Sequence, residues 1–144
     1  MKGKRLGVAG LGDMGLAMAR CLLTAGYPVT GYDVRAERVE LLEAAGGRGA
    51  DTPAAVGRAS DVVIVMVFNG QQVLQSLQGA DGLAAGMAPG RTVIITSTIE
   101  PREVRRAAAL LAPTRIYAKP ILNLMRDFTP VSYTHLTLPT KRIV

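Results

Sequence analysis

The chain has 144 residues and a net charge of +6, with 49% hydrophobic and 19% charged residues. This balance is typical of one globular domain and excludes an intrinsically disordered chain. The sequence holds no apolar run near the roughly 18 residues of a transmembrane helix. The basic start leads into a glycine-broken stretch containing Asp13, which argues against a signal peptide. The single cysteine, Cys21, excludes an intramolecular disulfide, and we expect it to pack on a helix of a cytoplasmic protein.

The excess positive charge is confined to the C-terminal part of the chain. Residues 1–113 hold 12 Lys and Arg against 10 Asp and Glu, whereas residues 114–144 hold 5 against 1. Basic residues are not interleaved with aromatic ones, as they are on many nucleic-acid-binding surfaces. We therefore expect neither a nucleic-acid nor a membrane partner.

In chain order, apolar runs that end in glycine or an acid alternate with helical patterns. Strands are predicted at 5–10, 28–33, 61–67, 91–97 and 115–120, and helices at 13–25, 35–47, 51–59 and 101–112, with one more between the third and fourth strands. The first helix has Met14, Met18, Cys21, Leu22 and Ala25 at helical spacing. The run DVVIVMV at 61–67 lacks alternation, which is typical of a strand covered on both faces. The order predicts an α/β fold with a doubly wound, mainly parallel sheet in a single domain.

Three glycines follow the first predicted strand and open the first predicted helix. Gly10, Gly12 and Gly15 have the spacing G-x-G-x-x-G of the Rossmann dinucleotide fingerprint. The first glycine permits a tight turn, the second lets a pyrophosphate approach the main chain, and the third lets the helix pack on the strand. The helix N-terminus would supply N–H groups and partial positive charge for the phosphates.

An acid ends the second predicted strand. Asp33 lies 23 residues after Gly10, where a carboxylate can bind the adenosine ribose hydroxyls. The alternative is that Asp33 caps the following helix. A carboxylate at this place repels a 2′-phosphate, so NAD is favoured over NADP, although Arg35 and Arg38 could soften that preference. Asp13 is interpreted as a first-turn acid favoured by the helix dipole, without a catalytic role.

The segment GVAGLGDMGLAMARCLLTAGYPVTGYD resembles the opening of the β-hydroxyacid dehydrogenases, the 3-hydroxyisobutyrate dehydrogenase-like enzymes. Their S-T-x-x-P element is similar to STIEP at 97–101, and Asn69 and Gln72 resemble the L-threonate dehydrogenase branch. The resemblance implies hydride transfer between a β-hydroxyacid and NAD, in homo-oligomers when the enzyme is complete. It implies that Ser97 binds substrate, while a capping role of Ser97 and Thr98 on the next helix is an alternative that is compatible with it. The implied cofactor-binding residues are Gly10, Leu11, Gly12, Met14, Gly15, Asp33, Val67, Phe68, Gln72 and Thr98.

The sequence also departs from the family pattern. Ile95 stands where the family has an acid, and AKPILNLMRD at 118–127 lacks the glycines of the family's substrate loop. The family's catalytic lysine, in a G-x-x-x-K-x-x-N helix, has no match, so Lys119 is not assigned that role. We expect no catalytic residue and no metal site in this chain.

The chain is divided into a dinucleotide-binding domain over 1–128 and a tail over 129–144. The tail sequence PVSYTHLTLPTKRIV resembles a translated sequencing adapter, which suggests a truncated gene, and we expect residues 130–144 not to pack on the sheet. His135 lies in this tail and is not interpreted as a base. Two alternatives stay open, a non-catalytic dinucleotide-binding module and a Rossmann domain for another ligand such as flavin, against which Met14, Met18 and STIEP argue.

Overall fold

The computed structural model describes residues 3–111, and the strands among them form one parallel sheet. The strands are β1 Leu6–Ala9, β2 Val29–Tyr32, β3 Arg48–Gly49, β4 Val62–Val65 and β5 Thr92–Ile95. Their spatial order is β3-β2-β1-β4-β5, and every adjacent pair is parallel. The chain therefore adds β2 and β3 on one side of β1, crosses back, and adds β4 and β5 on the other side, as in a Rossmann-type doubly wound fold.

Helices connect the strands on both faces of the sheet. They are α1 Asp13–Thr24, α2 Ala36–Ala44, α3 Pro53–Ala59, α4 Gly70–Leu77, α5 Leu83–Gly86 and α6 Pro101–Leu110. Local chemistry fixes several starts: Thr52 and Asn69 accept backbone N–H bonds as N-caps of α3 and α4, and Glu100 and Glu103 form a capping box on α6. Among the helices of residues 3–111, none combines the length and apolar character needed to cross a bilayer.

Two aliphatic clusters fill the space between the sheet and its helices. The cluster under α1 and α2 contains Leu6, Val8, Leu11, Leu16, Ala19, Val29 and Leu42. The cluster under α3 to α6 contains Ala9, Val56, Val63, Val65, Val73, Leu77, Leu83, Met87, Val93, Ala107 and Leu111. Leu6 and Val8 of β1 lie in the first cluster, whereas Ala9 of β1 and Val63 and Val65 of β4 lie in the second, because neighbouring side chains of a strand point to opposite faces. The middle of the sheet, at β1, is thereby held between two packed layers.

The prediction of an α/β fold with a parallel sheet is confirmed, and each predicted element within the described range lies within three residues of an observed one. The two-residue strand β3 and the short helix α5 were not predicted. The helix expected between the strands predicted at 61–67 and 91–97, which are β4 and β5, is present as α4. The predicted strand 115–120, the domain boundary at 128 and the tail 129–144 lie outside the described residues.

The prediction that Cys21 packs inside is wrong, and of the five apolar residues at helical spacing on α1, Leu22 packs against the core. The buried residues of α1 are Gly15, Leu16 and Ala19, whereas Cys21 is exposed and Met14 is 58% exposed. The small residues face the sheet because they let the helix backbone approach the strands closely. The spacing of the larger apolar residues therefore does not by itself identify the buried face, since Met14 and Cys21 share it and are exposed.

The expectation that β4 is covered on both faces is only partly correct. β4 lies inside the sheet, between β1 and β5, but its burial alternates between buried and intermediate. Val63 and Val65 face the helices α3 to α6, whereas Ile64 lies on the other side, next to Ile94 of β5. Ile94 is 40% exposed, since the strand contacts of α1 and α2 within the described range are mainly with β1, β2 and β3.

An ion pair joins β1 and β4 at the end of the sheet opposite to the carboxyl ends of the strands. Asp61 accepts bonds from the Arg5 guanidinium at 2.9 and 3.3 Å and from the Arg5 backbone N–H at 2.9 Å. These contacts, the guanidinium bond first and the backbone bond second, hold the pKa of Asp61 well below its usual range.

Because the Asp61 pKa is lowered on folding, this carboxylate stabilises the fold above its unfolded pKa of about 4. The contribution is lost as the pH falls further, toward the folded pKa. We expect the melting temperature of the chain to fall between pH 5 and pH 3 by several degrees more than that of Asp61→Asn. Calorimetry of both proteins across this range measures the difference, and parallel curves would contradict the assignment.

Candidate functional site

A cleft opens at the carboxyl ends of the strands, where the strand order reverses beside β1. In open α/β sheets this is the place at which ligands bind. The cleft has a volume of about 690 Å³, within the range of small-molecule and cofactor sites. Its lining residues are Ala9, Gly10, Gly12, Asp13, Met14, Gly15, Tyr32, Asp33, Val34, Arg35, Pro53, Met66, Val67, Phe68, Gln72, Gln75, Ser76, Gln78, Asp81 and Gly82.

The three glycines of the turn between β1 and α1 meet different surroundings. Gly10 has φ +94°, and a Cβ there would collide with the Met66 carbonyl oxygen. A Cβ on Gly15 would collide with the Gly10 carbonyl oxygen. Gly12 has ordinary extended backbone and nothing within 4 Å of its Cβ position. The fold itself therefore requires glycine at positions 10 and 15, whereas position 12 faces open space.

The first turn of α1 lies against the cleft. Its N–H groups have no partner within the helix, and the N-cap residue Gly12 supplies no side-chain cap. Asp13 is exposed and forms an ion pair with Arg38 of α2 at 2.9 Å. This contact directs the carboxylate toward α2, so the helix N-terminus keeps its preference for an anion.

Asp33 lies at the end of β2 with both carboxylate oxygens engaged. Oδ2 accepts from the Leu11 N–H at 2.7 Å, and Oδ1 accepts from the Arg35 N–H at 3.0 Å and from Arg35 Nε at 3.3 Å. The N-cap residue of α2 is Arg35, and no side chain caps this helix. Asp33 therefore does not cap α2 through its first-turn N–H groups, although it lines the cleft as expected.

The loop after β4 forms the opposite wall. Gln72 Oε1 accepts from the Phe68 N–H at 2.9 Å, and Asn69 Oδ1 accepts from the Gln72 N–H at 2.9 Å. Phe68 is nevertheless 88% exposed, and Val34 across the cleft is 86% exposed. Exposed apolar side chains on both walls provide surfaces suited to flat, partly apolar rings.

Ser97 is buried just after β5. Its Oγ accepts from the Val67 N–H at 2.9 Å and lies 3.5 Å from the Val65 carbonyl oxygen. The N-cap of α6 is Glu100, so neither Ser97 nor Thr98 caps that helix. In this structure the Ser97 hydroxyl fixes the start of the loop after β4, residues 66–69, which we call the cleft loop. Its predicted contact with substrate stays a prediction.

Removal of the Ser97 hydroxyl tests whether its hydrogen bond with the Val67 N–H supports cofactor binding. We expect Ser97→Ala to weaken NADH binding about threefold to tenfold, because the Val67 N–H loses its acceptor and the loop loosens. The matched control is Ser60→Ala, since the buried Ser60 hydroxyl makes no hydrogen bond within residues 3–111 and lies outside the cleft. Calorimetric titration measures both. An unchanged affinity in Ser97→Ala would favour a role toward substrate alone.

Eight of the ten predicted cofactor-binding residues line this cleft. They are Gly10, Gly12, Met14, Gly15, Asp33, Val67, Phe68 and Gln72. Leu11 and Thr98 do not line it: the Leu11 side chain is fully buried in the core, and its N–H is bound to Asp33. Ile95, at the position of the family acid, packs against the core cluster under α3 to α6.

The sequence motifs did not identify the face that α4 turns to the cleft. Gln72 and Gln75 of α4 and its C-cap residue Gln78 recur every three residues, and all three line the cleft. Had the helix been placed from its Asn69 cap, this spacing would have revealed the face. Within residues 3–111, His, Cys, Asp and Glu form no group of three suited to a metal ion. Lys119 and His135 lie outside the described residues.

Comparison with known proteins agrees with this geometry. The sequence pattern of the NAD-binding domain of 6-phosphogluconate dehydrogenase matches residues 5–118. The chain belongs to this family. It is 43% identical to the L-threonate dehydrogenase of Cupriavidus necator over 98 residues, which cover 68% of this chain and 33% of that enzyme.

Solved structures show the same fold. The crystal structure of 3-hydroxyisobutyrate dehydrogenase from Salmonella typhimurium matches with a TM-score of 0.71 and 32% identity, covering 78% of this chain and 39% of that one. Psf3 in complex with NADP+ and 2-OPP matches with a TM-score of 0.69 and 30% identity, covering 77% and 39%. The resemblance to 3-hydroxyisobutyrate dehydrogenase-like enzymes is thereby confirmed. The chain spans about a third of the length of the curated relatives that it matches.

Proposed function

We propose that this chain is the NAD-binding domain of a hydroxyacid dehydrogenase whose substrate resembles L-threonate or 3-hydroxyisobutyrate. The open space over Gly12, beside the first turn of α1, carries the proposal. It leaves room for a pyrophosphate against the main chain, at the N-terminus of a twelve-residue helix. The relatives named above support the class of reaction.

The residues of the cleft fit a nicotinamide dinucleotide. The turn from Gly10 to Gly15 would hold the pyrophosphate, and Asp33 would hold the adenosine ribose. Val67 and Phe68 would face the nicotinamide half. When bound, NAD supplies an acceptor for the hydride that leaves the carbon bearing the substrate hydroxyl.

In this part of the enzyme, the residues of the protein would orient the nicotinamide ring toward the substrate. The cleft loop is fixed by Ser97 and Gln72 through the N–H groups of Val67 and Phe68. A rigid loop would keep the nicotinamide face at a constant distance from the substrate carbon, which is how positioning lowers the barrier. The hydroxyl proton must pass to a base, and the family resemblance assigns that role to a lysine outside the matched segment.

We infer a preference for NADH over NADPH. A 2′-phosphate would approach the Asp33 carboxylate, and like charges repel at short range. Arg35 and Arg38 stand close by but are paired with Asp33 and Asp13, which reduces the attraction that they offer to a phosphate. We expect NADH to bind about tenfold more tightly in calorimetric titrations at equal ionic strength, a difference of about 1.4 kcal/mol. Equal affinities in the unmodified chain would contradict this preference.

A second candidate is a dinucleotide-binding module that does not catalyse on its own. The observation that favours it is the composition of the cleft, whose lining within residues 3–111 includes no lysine, histidine or cysteine. The lysine to which the family resemblance assigns the hydroxyl proton would then have to come from elsewhere. Binding of NADH without turnover of any hydroxyacid would support this candidate.

A further inference from the structure

Asp33 connects two turns that belong to adjacent strands. Its Oδ2 binds the Leu11 N–H in the turn after β1, and its Oδ1 binds the Arg35 N–H in the turn after β2. The side chain is only 8% exposed. A carboxylate that served solely as a ribose contact would not need to hold a main-chain donor from each turn.

The Leu11 position is fixed from two sides. Its side chain is fully buried in the cluster under α1 and α2, where it lies close to Gly31 of β2. Its N–H is fixed by Asp33 at 2.7 Å. The next residue, Gly12, is the N-cap of α1, so the position of Leu11 determines where the first turn of that helix begins.

We propose that Asp33 is a positioning residue for the phosphate-binding turn, in addition to the ribose contact proposed above. The carboxylate holds the turn from Gly10 to Gly12 in its binding geometry before any cofactor arrives. This inference rests on the proposed function for its consequence in binding. The bond to Leu11 itself belongs to the cofactor-free chain and can be tested there.

Two substitutions separate the positioning role of Asp33 from the effect of its negative charge. Asp33→Asn and Asp33→Ala both remove the negative charge that repels a 2′-phosphate. Asparagine keeps one acceptor oxygen, which can still bind the Leu11 N–H, whereas alanine keeps none. If Asp33 acted through charge alone, the two variants would bind NADPH equally well.

The first measurement uses the cofactor-free chain. We expect hydrogen exchange of the Leu11 amide, followed by NMR, to accelerate about tenfold or more in Asp33→Ala and less in Asp33→Asn, because a bond to an acceptor is lost or kept. Amides of Val63 and Val65 in β4 report global stability. Arg35→Ala is the control, since it removes the Nε contact and leaves both backbone bonds in place. Unchanged Leu11 exchange in Asp33→Ala, with β4 exchange also unchanged, would overturn the proposal.

The second measurement is the NADPH affinity of the same variants. We expect Asp33→Asn to bind NADPH about threefold to tenfold more tightly than Asp33→Ala, because the retained acceptor keeps the turn in place. Equal NADPH affinities of these two variants, when the unmodified chain binds NADH, would overturn the positioning role and leave the proposed function intact. If the unmodified chain bound neither cofactor, the proposed function would fail, while the exchange rate of the Leu11 amide would still decide the positioning role.

Discussion

Replacing Gly12 with alanine is expected to weaken NADH binding by about 10- to 100-fold, the value of one hydrogen bond to a charged group. The cofactor-free chain should melt within about 2 °C of the unmodified one, as expected for a substitution that touches nothing. Both expectations follow from the surroundings of Gly12, whose backbone is ordinary and whose Cβ position has no neighbour within 4 Å. The added methyl group would occupy space that the pyrophosphate needs.

Gly15→Ala is the matched control, because it adds the same methyl group three residues later. Its Cβ would collide with the Gly10 carbonyl oxygen, so α1 must move away from the turn. We expect a drop in melting temperature of about 5–15 °C, which corresponds to an overpacking cost of about 1–3 kcal/mol. Thermal melts and NADH titrations of both variants complete the comparison. A Gly12→Ala chain that melts like Gly15→Ala, or binds NADH like the unmodified chain, would contradict the assignment of Gly12 to the phosphate.

The elements with the strongest local signals could be predicted from the sequence. The apolar runs that form β4 and β5, and the glycine that follows α1, predicted the ends of these elements to within three residues. The strand β3 could not be found, because its two residues, Arg48 and Gly49, carry no apolar pattern. It exists because Thr30 and Gly31 of the neighbouring strand β2 offer backbone partners, and β3 itself forms the edge of the sheet. Pairing with a neighbour, rather than the propensity of its own residues, determines such a strand.

The face of α1 shows where periodicity misleads. Met14 and Cys21 share a spacing with other apolar residues, yet both are exposed. The close approach that Gly15 permits decides which side of the helix meets the sheet, and Ala19 follows one turn later on that side. In a helix that begins with a dinucleotide fingerprint, the last glycine is therefore a better guide to the buried face than the largest side chains.

The candidate site was predictable in its composition but not in its internal contacts. The motif spacing identified Gly10, Gly12 and Asp33, which the structure brings to one cleft. The hydrogen bonds that the Leu11 N–H donates to Asp33 and the Val67 N–H donates to Ser97 join residues 22 and 30 positions apart. Such contacts depend on the register of parallel strands, and a single sequence carries no local signal for that register. They are also the contacts that assign both side chains a role in holding the loops.

The 144-residue chain is expected to bind NADH yet to produce none above background when incubated with NAD and L-threonate or 3-hydroxyisobutyrate. A positioned acid–base group contributes about 10²–10⁴-fold to such reactions. The described lining of the cleft offers carboxylates, amides and Arg35, but no lysine or histidine. The family resemblance assigns the lysine to a helix beyond the matched segment, together with residues that position the substrate. Loss of positioning lowers the rate further, because the reacting atoms are no longer held within reach of one another.

The assay needs a control that separates missing chemistry from missing cofactor. NADH affinity is therefore measured on the same preparation, and a chain that binds NADH without turnover meets the expectation. Sustained NADH production at an enzymatic rate would contradict it and show that this chain contains its own proton acceptor. The variants Lys119→Ala and His135→Ala would then identify that acceptor, since these side chains lie outside the described residues and belong to the two residue types best suited to the task. A rate lost in one of them and retained in the other would assign the base to a single residue.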